Sequence, residues 1–544
     1  RVWYAGGMAQ PTFNYRLPYT SQRQPVLAKN IVATSQPLAA QAGLDVLRRG
    51  GNAVDAAVAT AMALSVVEPS GNGLGADNFA LIWTGGGVHG LNSSGRSPAR
   101  MTLDKYSGQD SVSTRGYDGV TVPGAPAGWV AAAESYGTMP LKELARDAIM
   151  YAREGHLLSP GVARSYFGVL RRYREGVHKG FFEHFSQNGE IPGPGDLVRL
   201  PDHADSLEAI AETEADAFYR GEIAQKIEAH AKEFGGAIRA SDMAKHKAEW
   251  VRPMTMDYRG WRLHEIPPNG QGIAALMALG ICKHFDLDSI EADDPKKLHL
   301  TIEAMKLAFR DVNEYVADPA YMPFDPRELI AEDYLAKRAK LIDPSRAQDF
   351  DHGEPKVGGT VLLATADAEG NMVSWIQSNY TGFGSGVVPT GTGVSLQNRG
   401  ACFVLDEGHP NQLGPNKKPY HTIIPAFVTK PTPTGEEPVM TFGVMGGFMQ
   451  PQGHLQVMLR MRDDEQNPQA AIDAPRWQIY EGLDVSIEPG FDDSVYGALE
   501  SMGHNVRKTR SRSATFGRGQ AIYRLEDGYV AGSDMRADGQ AVGF

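Results

Sequence analysis

Thr360 stands at an abrupt change of character. Before it runs "EPKVGG", polar and glycine-rich. From it runs "TVLLATA", a strand-like segment that the turn "DAEGN" joins to a second one, "MVSWIQS". That second segment ends in another hydroxyl residue, Ser378. The ordinary role of such a Thr is to open a strand, which β-branched residues do readily. A chemical role requires a base within reach. A Thr at a chain N-terminus carries its own, because the free α-amine takes the proton of the hydroxyl on the same residue. An internal Thr gains that amine only when the bond before it is cut. The Gly359–Thr360 bond suits such a cut, since Gly359 is expected to permit the strained backbone that attack on its carbonyl needs. The chemistry these residues suggest is amide hydrolysis by a Thr that self-cleavage exposes.

Competing chemistries lack their residues. The chain has no HExxH, no GxxxxGK[ST] and no GxSxG, which removes the signatures of a zinc peptidase, a P-loop and an α/β-hydrolase elbow. "GNGLGADN" and "GFGSGV" are glycine-rich without the dinucleotide fingerprint and read as tight turns. The two cysteines, Cys282 and Cys402, are too far apart in sequence for a metal or redox motif and too few for a disulfide scaffold. No metal and no cofactor is expected. The formal net charge of −12 comes with no basic stripe, which argues against nucleic acid as a partner. The longest apolar run, "AAVATAMALSVV", is too short to span a bilayer. The chain begins at Arg1 rather than Met, so a removed leader stays open and the compartment stands between cytoplasm and periplasm.

The elements that must position Thr360 follow from pattern. "QPLAAQAGLDVLRRGG" has helical periodicity and a Gly pair at its end. "NAVDAAVATAMALSVVEP" is apolar on most faces and predicts a deeply packed helix. "SGNGLGADNFALIWTGGGVHGLN" predicts a hairpin behind a Gly-rich turn. "LKELARDAIMYAREG", the region 205–235 and "LHLTIEAMKLAFRDVNEYVADP" are helical. After Gly359 the pattern turns to strands: "TVLLATA", "MVSWIQS", "HTIIPAFVT" and "PVMTFGVM", then one helix in "PQGHLQVMLRM". The polar segment 343–359 is the expected linker.

Several ordered motifs, together spanning nearly the whole chain, resemble the γ-glutamyltranspeptidase family of N-terminal nucleophile hydrolases. They are "GGNAVDAAVATAMALSVVEPSGNGLG", "TVPGAPAGW", "DAFYRGEIAQKI", "YRGWRLHEIPPNGQG", "TIEAMKLAFRD", "GGTVLLATADAEGNMVS", "GPNKKPYHTIIP" and "GVMGG". The resemblance implies an α+β fold, a four-layer αββα sandwich. It implies cleavage between Gly359 and Thr360 into a large chain, 1–359, and a small chain, 360–544. Thr360 would be the nucleophile, and Ser378 matches a hydroxyl residue that bonds it. Gly446 and Gly447 match the pair whose N–H groups form the oxyanion hole.

The substrate pocket departs from the family pattern. Ser94 stands where the family has an Arg for the substrate α-carboxylate, with Arg96 nearby but out of register. Cys402 stands where it has an Asp for the α-amine, and a thiol supplies no countercharge. His421 and Thr422 replace a pair of Ser. Tyr380, Asn398 and Arg399 complete the expected substrate-binding set, and Arg96 or Arg399 is the expected partner for a carboxylate on the acyl group. These variants resemble the branch that includes cephalosporin acylases. The expected activity is hydrolysis or transfer of γ-glutamyl or glutaryl-type amides through an acyl-Thr360 intermediate. A true γ-glutamyltransferase acting on glutathione is the alternative within the family, and an uncleaved binding relative is the alternative outside its chemistry. A homodimer is compatible with the reading, and no membrane partner is expected.

Overall fold

The computed structural model describes residues 22–350 and 359–544. Two seven-stranded sheets form its centre, and every pairing within them is antiparallel. The first runs Gln540–Gly543, Ile31–Thr34, Gly359–Ala366, Met372–Tyr380, Asp77–Thr84, Gly87–Ser93, Glu249–Val251. The second runs Val26–Ala28, Gly528–Ser533, Arg518–Leu525, Gly435–Met445, Ala426–Thr432, Trp261–Glu265, Met254–Tyr258.

The layering can be followed along the strand that Thr360 opens. Successive side chains of a strand point to opposite faces. Leu362 and Ala364 enter the core between the sheets, where they meet Phe427, Met445 and Ile522. Val361 and Leu363 point the other way, into a core built on the helices Pro37–Arg48 and Ala53–Val67. A third core joins the outer face of the second sheet to the helices Gly272–Cys282, Pro295–Tyr315 and Met449–Arg462. Both faces of this strand are therefore covered, which is why its apolar residues stand on both faces rather than alternating. The order helix, sheet, sheet, helix is the expected αββα sandwich.

The helix Ala53–Val67 is buried on every face. Small side chains let it pack closely, and Asn52 caps it by accepting from the Val54 and Asp55 N–H groups. "HTIIPAFVT" is only partly a strand, since the ladder starts at Ala426. Pro425 has no N–H for a ladder. Upstream, His421 instead donates its N–H to the Asn269 carbonyl and accepts from the Gln271 N–H, both at 2.9 Å. The end of the expected linker, 351–358, lies outside the described residues, as does Arg1. Among the described residues no helix is long and apolar enough to cross a membrane.

Candidate active site

Thr360 is buried at the start of its strand, where Gly359 pairs with Tyr380 across a register shift. Gly359 is not in the left-handed region, so the expected backbone strain is not what calls for glycine there. Space is. A Cβ on Gly359 would lie 3.1 Å from the Ser70 carbonyl oxygen and 3.2 Å from Gly382. The turn after the buried helix also presses on Thr360: a Cβ on Gly71 would stand 2.9 Å from the Thr360 carbonyl oxygen. That oxygen accepts from Arg518 Nη2 at 3.0 Å, and Glu68 holds Arg518 Nη1 at 2.7 Å.

Ser378, at the end of the neighbouring strand, connects the parts. Its Oγ lies 3.3 Å from Thr360 Oγ1 and donates to the Gly359 carbonyl at 2.7 Å. It accepts from the Tyr380 N–H at 2.8 Å and from Arg399 Nη2 at 3.0 Å. Arg399 has no exposed surface. Its Nη1 donates to Thr422 Oγ1 at 2.7 Å, and its guanidinium carbon lies 4.6 Å from the centre of the Tyr380 ring.

Gly446 and Gly447 end the strand Gly435–Met445 and precede the helix Met449–Arg462. Their φ values, 134° and 63°, are conformations that side-chain-bearing residues rarely adopt. A helix N-terminus favours negative charge, which suits an oxyanion site. Gln271 fixes this turn: its Nε2 donates to the Gly447 carbonyl at 2.9 Å and to the Thr422 carbonyl at 2.6 Å.

The remaining expected pocket residues divide. His421 Nδ1 faces the Ile423 N–H at 3.4 Å, so Nε2 carries the proton and donates to Asp77 at 3.0 Å. Burial, then Arg399 and Lys418, holds His421 well below the ordinary histidine range. Asp77 also accepts from Gly95, Gly124 and Gln397. Ser94 is buried and donates to Asn92 Oδ1 at 2.7 Å, beside Asn269. Arg96 is committed to Asp318 at 2.7 Å and lies 3.7 Å from Glu249. Asn398 ties Thr114 and Thr381 together. Cys402 lines a cavity of about 970 Å³ with Tyr380, Tyr420, Phe448 and Arg310.

Asp77, Gln271, Gly71 and the Arg518–Glu68 pair were not singled out in the sequence. Asp77 sits in "GADN", which reads as a turn, and its partner His421 is 344 positions away. Gln271 lies in a family-like motif with nothing local to mark its role. Away from Thr360, the ligand atoms of His299, Glu303 and His504 fall within 4.8 Å of one another, a span that suits a metal. They already serve each other and the protein: His299 Nδ1 and His504 Nε2 share a hydrogen bond at 2.9 Å, and Lys306 donates to Glu303 at 2.7 Å.

Comparison with known proteins gives the family of the chain. The family model described as gamma-glutamyltranspeptidase matches residues 39–544. The crystal structure of a cephalosporin acylase from Bacillus halodurans superposes with a TM-score of 0.93 at 47% identity, covering 98% of this chain and 99% of that one. The glutathione hydrolase-like YwrD proenzyme of Bacillus subtilis (strain 168) is 36% identical over 531 residues, 95% of this chain and 98% of its own. The oxamate amidohydrolase proenzyme of Klebsiella pneumoniae subsp. pneumoniae is 34% identical over 520 residues, 93% of this chain and 97% of its own.

Proposed function

Because the chain belongs to the γ-glutamyltranspeptidase family, and is thus an N-terminal nucleophile hydrolase, we propose that Thr360 is its nucleophile and Gly359–Thr360 its cleavage site. The observation that carries this is Ser378, whose hydroxyl touches both Thr360 Oγ1 and the Gly359 carbonyl. In the precursor, Ser378 polarises the bond to be cut. Thr360 Oγ attacks the Gly359 carbonyl carbon, the hydroxyl proton passes to the Thr360 nitrogen as the C–N bond breaks, and the resulting ester is hydrolysed by water. The products are a carboxylate on Gly359 and a free amine on Thr360. In the mature enzyme the same oxygen attacks a substrate amide. The amine takes the hydroxyl proton and passes it to the leaving amine. Water then releases the acyl group. The Gly446 and Gly447 N–H groups receive the developing oxyanion, at about 3–4 kcal/mol for a donor of this kind.

The substrate class follows from the pocket. A zwitterionic γ-glutamyl head group needs two countercharges in a partly dry site. Ser94 is a hydroxyl within an Asn network, and Cys402 is a thiol at an aromatic-walled cavity. Acyl groups without an α-amine suit this site better, with a glutaryl-type dicarboxylic chain as the favoured case and cavity-lining Arg310 as a cation for its far end. The oxamate amide named for the Klebsiella relative is a shorter member of the same carboxylate-bearing class.

Expression of wild type and Thr360→Ala tests the core of this reading. Wild type should give two chains of about 39 and 20 kDa, scaled from 58.9 kDa in proportion to length. N-terminal sequencing of the smaller should begin Thr-Val-Leu-Leu. Thr360→Ala should stay one folded, inactive chain. Amide hydrolysis by uncut wild type, or turnover by Thr360→Ala, would sink the assignment.

A further inference from the structure

Ser378 Oγ has two lone pairs and one proton. The Tyr380 N–H and Arg399 Nη2 occupy the lone pairs, at 2.8 and 3.0 Å. The proton has the Gly359 carbonyl as its acceptor at 2.7 Å. Thr360 Oγ1 donates to the same Ser378 oxygen over a longer 3.3 Å, in competition with those two donors. Ser378 is thus a crowded acceptor for the proton of the nucleophile, and once cleavage has freed the Thr360 amine, that amine is the base on the same residue.

Arg399 is a full positive charge with no exposed surface; the carboxyl that feels it is Asp77, which burial pushes up to about 7 against the pull of Arg399 and which already accepts from His421 and Gln397. Its Nη2 is one hydroxyl away from the nucleophile, at most about 6 Å from Thr360 Oγ1. The expected use of Arg399 as a carboxylate partner for substrate conflicts with this enclosure beneath the Tyr380 ring.

We propose that Arg399 is a positioning residue: it fixes the direction of the Ser378 proton and keeps the Thr360 amine exposed by cleavage neutral, as a base must be. The inference rests on the proposed cut before Thr360. A like charge nearby disfavours the ammonium form. The carboxylate that the cut leaves on Gly359 opposes that effect while it stays at the site; the other charged groups around Thr360 are already engaged. Arg518, on the carbonyl of Thr360, is matched by Glu68. Asp77 accepts from two backbone N–H groups, Gln397 and His421. Lys418 is paired with Glu249 at 2.9 Å. Burial keeps His421 uncharged, and it keeps the Tyr380 and Tyr420 phenols protonated. Cys402 hydrogen-bonds the Tyr380 phenol and helps to raise both phenols.

Two measurements on the mature enzyme test this. Competitive labelling of the Thr360 amine against pH gives its midpoint directly. In wild type it should fall about one to two units below the ordinary α-amine value of about 7.7–8.0. The acid limb of kcat/KM should share that midpoint. In Arg399→Gln both should rise by about one to two units, and in Arg399→Lys, which keeps the charge, both should stay within about half a unit of wild type. An ordinary midpoint in wild type overturns the proposal. So does an Arg399→Gln enzyme that loses the same factor at every pH with its limb unmoved, because that is a purely structural effect. If Arg399→Gln does not fold or cut itself, the wild-type midpoint decides. A wild type with no Thr360 N-terminus overturns the proposed cleavage as well, whereas a cut enzyme with an ordinary amine overturns only the role of Arg399.

Discussion

The hydroxyl of Ser378 donates to the carbonyl oxygen of Gly359 at 2.7 Å, so the residue beside the proposed nucleophile also grips the bond proposed for cleavage. Removing it should leave cleavage slow rather than absent. Ser378→Ala keeps Thr360 and its strand but loses one donor to the developing oxyanion, a loss typically worth about 10²-fold in rate. A time course of chain separation on gels, starting from freshly made precursor, measures this. Cleavage at the wild-type rate would show that the Ser378 contact is idle.

Gly71→Ala tests the floor under the nucleophile. The new methyl meets the Thr360 carbonyl at 2.9 Å, where only backbone can yield. Overpacking of this kind typically costs about 1–3 kcal/mol. The movement also pulls Thr360 away from Ser378. Both a lower unfolding midpoint in urea and slower self-cleavage are expected, and unchanged values of the two would mean that the turn relaxes freely.

Acid sensitivity should come in part from a histidine cluster far from Thr360 in sequence. His203 is buried, with its Nε2 3.2 Å from Ser65 Oγ. Burial, then His184, holds it well below its ordinary value of 6.5. The folded state thus refuses a proton that the unfolded chain accepts. This stability is fully present above pH 6.5 and is lost as pH falls below it, by at most about 1.4 kcal/mol per unit for one group. Urea midpoints at pH 7.5 and 5 should fall further for wild type than for His203→Gln. Equal falls would remove His203 from the account.

Substrate preference is the next test. The ratio of kcat/KM for γ-glutamyl and glutaryl derivatives of one chromogenic amine should favour glutaryl. A missing charged partner costs about 2–5 kcal/mol, or roughly one and a half to three and a half decades. Ser94→Arg with Cys402→Asp should move the ratio towards γ-glutamyl. Ser94 is enclosed by Asn92 and Asn269, so the double variant should also lose stability. A wild-type ratio strongly favouring γ-glutamyl would show that other residues hold the head group.

The sequence was most readable where function and fold share a local pattern. The Thr360 strand, its partner ending at Ser378 and the all-round apolar helix Ala53–Val67 could be placed from periodicity and from the order of motifs. What could not be read was pairing across long separations. Asp77 and His421 stand in unrelated segments, and each alone looks like a turn or loop residue. Arg399 belongs to the expected set, but its enclosure under Tyr380 depends on how two segments pack. Pro425 was the readable signal that the strand begins after it rather than at His421.

The strand Gly359–Ala366 lies between Ile31–Thr34 and Met372–Tyr380, and each sheet takes strands from both sides of the proposed cleavage site. The cut therefore changes the order of the folding reaction. Before it, one chain folds by itself, at any dilution. After it, the same architecture is a complex of two chains, neither of which holds a full sheet. Its recovery from denaturation becomes second order and depends on concentration. Self-cleavage is then a ratchet: a molecule assembles once as a single chain, and heat inactivation of the mature enzyme in dilute solution is hard to reverse.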